Sequence, residues 1–411
     1  MKWEKVKLGK YVEILSGFAF KSKDFLNCGV PVIKIKNITQ EGVTLEDVSY
    51  ISKELADKNE KYHLNYNDIL IALTGSHINQ MSSVVGRIAR IKYHEDSLLN
   101  QRVGKVFAKD SKLCDIDYVY YFLSQDYIKI SLASKAGGAA NQANISPNDV
   151  KSLTVRWPDI ETQHRIADIL SAYDDLIENN QKQIKLLEEA AQRLYKEWFV
   201  NLRFPGHENT KIVDGVPEGW NECTVESFGT VITGKTPPTS NKEYYTNGKV
   251  PFVTIPDMHN VVYPLKTEKR LTIEGAQTQK NKYIPPNSVM ISCIGTVGLV
   301  SIATEVCQTN QQINSIILNN EDDLYFFYES MLRMKDLLDG LGSNGATMTN
   351  VNKSKLEKLI IISPSKNIVK QYNDVCKPLF ESALNLSRKN VYLKNMREAL
   401  LPKLMSGEVE V

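Results

Sequence analysis

The chain carries one pattern twice. Residues 117–200 and 323–406 align without a gap at a constant offset of 206. Asp117 falls on Asp323, Tyr121 on Phe327, Asn144 on Asn350 and Leu153 on Leu359. Pro158 falls on Pro364, Leu187 on Leu393 and Leu194 on Leu400. Upstream the match is looser: Trp3 with Trp220, Gly17 with Gly234, Val30-Pro31 with Val250-Pro251, Gly75 with Gly295 and Asn100-Gln101 with Asn310-Gln311. There the offset drifts between 210 and 220, so loops differ in length. Each half is a variable front followed by a regular back, and the whole chain must be a duplicated architecture.

The fronts read as short strands and turns with helices between them. Val30–Ile35 and Val250–Ile255 are β-rich runs. The apolar runs Asp68–Leu73 and Ser288–Ile294 lead to Gly75 and Gly295, as strands closed by turns do. Tyr118–Leu132 and Leu324–Leu341 have helical character. The backs are different. Residues 161–200 contain neither Gly nor Pro, and their apolar residues step by three and four through Leu170, Tyr173, Ile177, Ile184, Leu187, Ala191, Leu194 and Trp198. That is a heptad seam. Its counterpart runs through Cys376, Leu379, Ala383, Leu386, Leu393, Arg397, Leu400 and Leu404, with Pro378 and Pro402 predicting a kink or a late start. The boundaries expected are a first front at 1–158, a helical spacer at 159–204, a second front at 205–364 and a second spacer at 365–411.

Charge pairs the two spacers. Residues 161–200 hold eight acidic and five basic side chains; residues 366–404 hold three acidic and eight basic. Opposite charge favours this helix against that one over self-pairing. Each seam contains one asparagine, Asn180 and Asn390, and polar seam residues tend to meet and fix register. Facing them in an antiparallel pair sets Ile177 against Leu393, Ile184 against Leu386, Leu187 against Ala383 and Leu170 against Leu400. Such a pair is a ruler of roughly 60 Å, at ~1.5 Å per residue. The fold class expected is α/β (α+β): two tandem fronts on an antiparallel coiled coil with pseudo-two-fold symmetry.

Composition excludes several classes. At 42% apolar and 24% charged residues the chain is ordinary globular material. It lacks the long apolar run of a spanning helix, and its first residues have no secretory apolar core. A cytoplasmic protein, with no membrane partner, is expected. The six cysteines form no CxxC and the six histidines have no metal spacing, so no metal site is expected. Net charge is only +2, so nucleic-acid binding would have to come from local patches.

One motif suggests an enzyme. Gly229–Thr236 matches the phosphate-binding pattern GxxxxGK[ST], which would make Lys235 and Thr236 the working residues of a P-loop nucleotide hydrolase. Yet Pro237 and Pro238 follow at once, where a helix must start. Pro256-Asp257 is not completed into a nuclease motif, and no catalytic residue is expected. Polar loop residues suit contacts to base edges instead: Asn and Gln read adenine, Arg and Lys guanine, Ser and Thr either. The candidates are Lys34, Lys36, Asn37, Thr74, Ser76, Asn79, Gln80, Gln101, Arg102, Asn141 and Gln142 in the first half. The second half offers Lys235, Thr254, Asn260, Thr296, Gln308, Gln311, Gln312, Asn344 and Thr347. Phe199 and Phe204 are expected as exposed apolar surface for docking protein partners. A protein-only helical scaffold is the third reading.

Several segments together resemble one family. Trp157-Pro158-Asp-Ile-Glu-Thr-Gln163 leading into Arg165–Leu170 is similar to the Pro-x-x-x-Glu-Gln helix entry of the DNA-specificity subunits of type I restriction–modification systems. Leu194–Gly206 resembles their central linker, Val216–Trp220 the start of their second recognition domain, and Leu400–Val409 their ending. Gly234-Lys235-Thr236-Pro237 also occurs in such domains. Ser363–Lys366 departs from the pattern by lacking the Glu-Gln entry. The resemblance implies two target recognition domains, each reading one half of a split, asymmetric site in double-stranded DNA. It implies that the helices set the spacer and dock two methyltransferase subunits, joined by restriction/translocase subunits. It implies that this chain binds no cofactor, S-adenosylmethionine, ATP and Mg belonging to the partners, and catalyses nothing.

Overall fold

The computed structural model describes residues 3–39, 42–75, 85–136, 143–342 and 350–411. The chain divides into two compact units: residues 1–176 with 393–411, and residues 177–392.

The core of the first unit rests on a four-stranded antiparallel sheet in the order Val12–Ser16, Val103–Ala108, Ile69–Ala72, Ile88–Arg90. Ile69–Ala72 is buried on both faces, so it is a continuous apolar run rather than an alternating one. The helices Ile116–Ser124 and Asp126–Lys135 supply Tyr118, Phe122, Ile128 and Leu132 to the same core. A second sheet has the order Ser49–Ile51, Val30–Ile33, Ser97–Leu99, His63–Leu64, and its middle pair is parallel. Glu4–Lys7 pairs with Thr154–Trp157 and closes the front on itself.

The second unit repeats this wiring. Its main sheet runs Gly229–Thr233, Ile313–Leu318, Val289–Ser292, Val300–Ile302. Its second sheet runs Lys269–Leu271, Val250–Val253, Gln308–Thr309, again with one parallel pairing. Asn221–Thr224 and Ile360–Ser363 make the closing ladder. The predicted runs are shortened at their ends. Val30 and Val250 start strands that stop at Ile33 and Val253, because tight 3-10 turns follow at Ile35–Asn37 and Ile255–Met258. The two predicted helices each split in two, the first where Gln125 becomes extended and the second at Met334.

The first long helix runs Ile160–Tyr195 and widens into a π-turn over Lys196–Val200. Asp159 caps its start by accepting from the Thr162 backbone N–H at 2.8 Å. Gln163 is fully buried there. Its Oε1 accepts from the Asp115 N–H at 3.0 Å and its Nε2 donates to the Pro158 carbonyl at 2.9 Å. It thereby ties the helix entry to the cap of Ile116–Ser124. At the repeat-equivalent position, 206 further on, stands Val369, buried in the apolar core of the second unit. The second long helix runs unbroken from Lys366 to Ser406. The expected kink is not a break because Pro378 and Pro402 both face solvent, where water can take the carbonyls they leave free.

Within the second unit the two helices lie antiparallel. Asn180 and Asn390 are both buried, and Asn180 Nδ2 donates to Asn390 Oδ1 at 2.8 Å. Further along, the Tyr372 hydroxyl donates to the Ala191 carbonyl at 3.2 Å. Within the first unit, Arg397 forms an ion pair with Asp174, which also accepts from the Tyr121 hydroxyl at 2.7 Å. Phe199 is half-buried and Phe204 buried, so neither is the exposed surface that was expected. Phe199 packs against Tyr195, Trp198, Trp220, Phe326 and Tyr372, and Phe204 is buried on Trp220. The wide π-turn and the Gly206 bend fold both rings inward, a rotation that the 3.6-residue period does not reveal.

A carboxyl group is also buried in the second unit. Glu329 is 1% exposed and its Oε2 has no hydrogen-bond partner among the described residues. Burial pushes its pKa up to about 8, against the opposing pull of Arg333, and burial pushes neighbouring Glu188 up to about 7. The folded chain thus holds protons that the unfolded chain releases near pH 4.5.

Two outcomes are expected. Asn390→Ala strands the Asn180 amide in an apolar seam and should cost about 1–3 kcal/mol. The double change of Asn180 and Asn390 to Leu should recover most of it, as denaturant unfolding would measure. The contribution of Glu329 is fully present below about pH 4.5 and is lost as pH rises through about 8. Thermal melts from pH 5 to 9 should therefore fall by several degrees, and Glu329→Gln should flatten the decline.

Candidate nucleic-acid interface

The fronts expose polar side chains where the two sheets of each unit meet. In the first unit the turn Asn100–Arg102 leads into the central strand Val103–Ala108. It is stitched to its neighbours by the backbone. Gly17 N–H donates to Val103, Phe18 N–H to Leu99, Gln101 N–H to Phe18 and Leu73 N–H to Arg102. In the second unit Asn310–Gln312 leads into Ile313–Leu318 in the same way. Gly234 N–H donates to Ile313, Lys235 N–H to Thr309 and Asn310 N–H to Val253. The approach at this corner is too close for a side chain. A Cβ on Gly17 would stand 2.4 Å from the Asn100 carbonyl oxygen, and one on Gly234 2.1 Å from that of Asn310. Glycine is required at both places for that reason.

Several candidates are committed to their own unit. Asn37 is fully buried: its Oδ1 accepts from the Lys34 N–H and its Nδ2 donates to the Glu46 carbonyl. Gln308 is fully buried, its Oε1 bonded by Gln279 at 2.8 Å and its Nε2 by the Ala276 carbonyl at 3.0 Å. Neither side chain has an edge left for a base, which corrects the expectation for both. Lys34 donates to Ser49 at 2.8 Å and lies 3.6 Å over the Phe25 ring, and burial lowers its pKa. Thr74 is buried and donates to Asn144, and Thr254 donates to Asp257, each at 2.7 Å. A turn-forming polar residue satisfies its own backbone first.

Others are free to act. Lys36, Gln101, Arg102, Lys235, Asn260, Thr296 and Gln311 are exposed. The structure brings Gln101 and Arg102 together on one turn. In the second unit it gathers Lys235, Gln311 and Gln312, with Thr296 two residues beyond the Ile294 carbonyl that Gln312 approaches. Asn260 belongs to a different turn, held at a left-handed φ of 56°. Ser76, Asn79, Gln80, Asn141, Gln142, Asn344 and Thr347 lie outside the described residues. Sequence reasoning missed Thr236 as a neighbour of this cluster: its hydroxyl donates to Gln311 Oε1. The signal was the repeated Asn-Gln pair, which aligns the two turns. Among the described residues no group of three His, Cys, Asp or Glu side chains is placed to hold a metal. No helix among them is long and apolar enough to cross a membrane.

The nucleotide-binding alternative fails on this geometry. Gly229–Thr233 is an extended strand paired with Asn314–Leu318, not a loop. The Gly234 and Lys235 N–H groups, which would cradle a phosphate, are already bonded to carbonyls. No helix starts at Lys235-Thr236; the chain runs on without regular structure through Pro237-Pro238 and turns at Thr239-Ser240.

What remains is a duplicated, loop-presenting fold with two long helices, and its relatives share that description. The model of the type I restriction modification DNA specificity domain matches residues 1–189 and 217–391. The chain therefore belongs to the family of type I restriction–modification DNA-specificity proteins. It is 35% identical over 345 residues to the type I restriction enzyme HindI specificity subunit of Haemophilus influenzae, covering 69% of this chain and 74% of that one. It is 26% identical to the MjaIX specificity subunit of Methanocaldococcus jannaschii, covering 100% of this chain and 94% of that one. The fold is that of the crystallised type I S subunit from M. genitalium, with a TM-score of 0.59 at 15% identity, covering 98% of this chain and 96% of that one.

With the phosphate cradle closed, the chain should bind no ATP. Isothermal titration should show no saturable heat with wild type, and Lys235→Ala should leave the trace unchanged.

Proposed function

We propose that this chain reads a bipartite, asymmetric site in double-stranded DNA and scaffolds the enzymes that act on it. Residues 1–158 and 205–364 are the two target recognition domains, and residues 159–204 and 365–411 the helical spacers that set the distance between half-sites. The observation that carries this reading is the pairing of one strand order with two different sets of exposed loops, in a chain of this family. Two readers of the same build but different loop chemistry call for two different half-sites, unlike the palindrome of a symmetric dimer. Lys36 and Lys235 suit phosphates; Gln101, Arg102 and Gln311 suit base edges. Asn260 and Thr296 are further exposed candidates.

The chain itself catalyses nothing in this reading. Two methyltransferase subunits dock on it and bind S-adenosylmethionine, and restriction/translocase subunits bring ATP and Mg. The assembly acts in the cytoplasm. Phe199 and Phe204 shape the linker that presents this docking region rather than touching a partner themselves.

The test is the adenine methylome of cells co-expressing this chain with its neighbouring methyltransferase gene. A bipartite motif with a fixed spacer, lost when this chain is deleted, is expected. A stable complex that methylates nothing new would overturn the reading in favour of a protein-only scaffold.

A further inference from the structure

Resting on the reading of this chain as a DNA-specificity subunit, we propose that Gln311, oriented by the Thr236 hydroxyl, is the side chain with which the second unit recognises an adenine. Three glutamines, Gln308, Gln311 and Gln312, surround the turn. Hydrogen bonding sorts them. Gln308 is buried with both ends of its amide engaged. Gln312 is held at its oxygen by Asn310 Nδ2 at 2.9 Å, and its nitrogen faces the Ile294 carbonyl at 3.5 Å. Gln311 alone of the three is exposed, and among the described residues its one side-chain hydrogen bond is the 2.5 Å bond that Oε1 accepts from Thr236.

That contact does two things. An amide oxygen has two lone pairs and an amide nitrogen two hydrogens. Thr236 donates to one lone pair and tethers the amide, which limits how far its plane can swing. The second lone pair and the N–H groups stay open, an acceptor beside a donor in one plane. Adenine offers the complementary pair in the major groove, a donor at N6 and an acceptor at N7. A reader must also sit on something rigid. Asn310 supplies this by accepting from the Gln312 N–H at 3.1 Å while Gly234 lets the two backbones touch. Exposed Lys235, next in the chain to Thr236, suits the adjacent phosphate.

The first unit lacks the device. Gln101 occupies the equivalent turn, but two residues past Gly17 stands Ala19, where Thr236 stands two past Gly234. Thr236 is therefore a positioning residue specific to the second half-site, and the first half-site serves as an internal control.

The experiment reads the methylated motif of the co-expressed complex carrying Gln311→Ala, Thr236→Val or Thr236→Ser. Subunit composition and melting temperature of each complex are measured alongside. Gln311→Ala and Thr236→Val should relax the same single A·T pair of the second half-site, with discrimination falling roughly tenfold or more. Thr236→Ser should keep the parent motif, and the first half-site should stay unchanged in all three. An unchanged motif with Gln311→Ala overturns the proposal. So does a change with Gln311→Ala that Thr236→Val does not share, or one at a G·C pair. If Gln311→Ala stops methylation in an assembled complex, duplex competition decides. Selective loss of adenine preference supports the proposal, and equal loss for every base overturns it. Failure of the parent chain to give any bipartite motif would instead remove the underlying reading.

Discussion

Leu404 and Met405 are buried in a core otherwise built from residues before 171. Nearby, the Arg156 guanidinium donates to the Ser406 carbonyl at 2.7 Å. The first unit is therefore closed by chain that lies beyond the whole of the second unit. Burying apolar surface is the dominant favourable term in folding. Here that surface can be removed from water only if both long helices contribute to both units. The first long helix gives Ile166 and Leu170 to one core and Ala191 and Tyr195 to the other. The second gives Phe380 to one and Leu404 to the other. The helices are thus part of each hydrophobic core and not mere connectors.

The asparagine pair and the Asp174–Arg397 pair give this packing its register. A purely apolar seam tolerates slippage by a heptad; a buried amide does not, because a slipped Asn180 would lose its partner in a dry environment. Specificity of structure here comes from a few polar groups placed where they are costly to strand.

Much of this was legible in the sequence. The repeat offset required two units of the same wiring, and the one-asparagine-per-seam pattern named the residues that meet. What was not legible has a common physical cause. Asn37, Gln308 and Gln101 are the same kind of residue in a linear pattern, and only three-dimensional hydrogen-bond accounting separates two buried, satisfied amides from an exposed one. Phe199 follows a helical period until a π-turn rotates it inward, and Phe204 lies past the helix end, folded onto Trp220. Pro378 and Pro402 look like breakers unless one knows that they face water. The P-loop match fails for the opposite reason. Its letters are right, but Gly229–Thr233 is strand and the Gly234 and Lys235 N–H groups are bonded to carbonyls, so no backbone cradle remains for a nucleotide.

The closure of the first unit by residues 393–411 has a consequence for how the molecule is made. A ribosome delivers the first front early, yet that front cannot bury its last apolar surface until Met405 has emerged. The second unit is continuous in sequence, from Ile177 to Tyr392, and has all its parts sooner. The half synthesised first is thus the half completed last. Meanwhile its core must wait with a gap where Leu404 belongs, the kind of transiently exposed surface that chaperones hold.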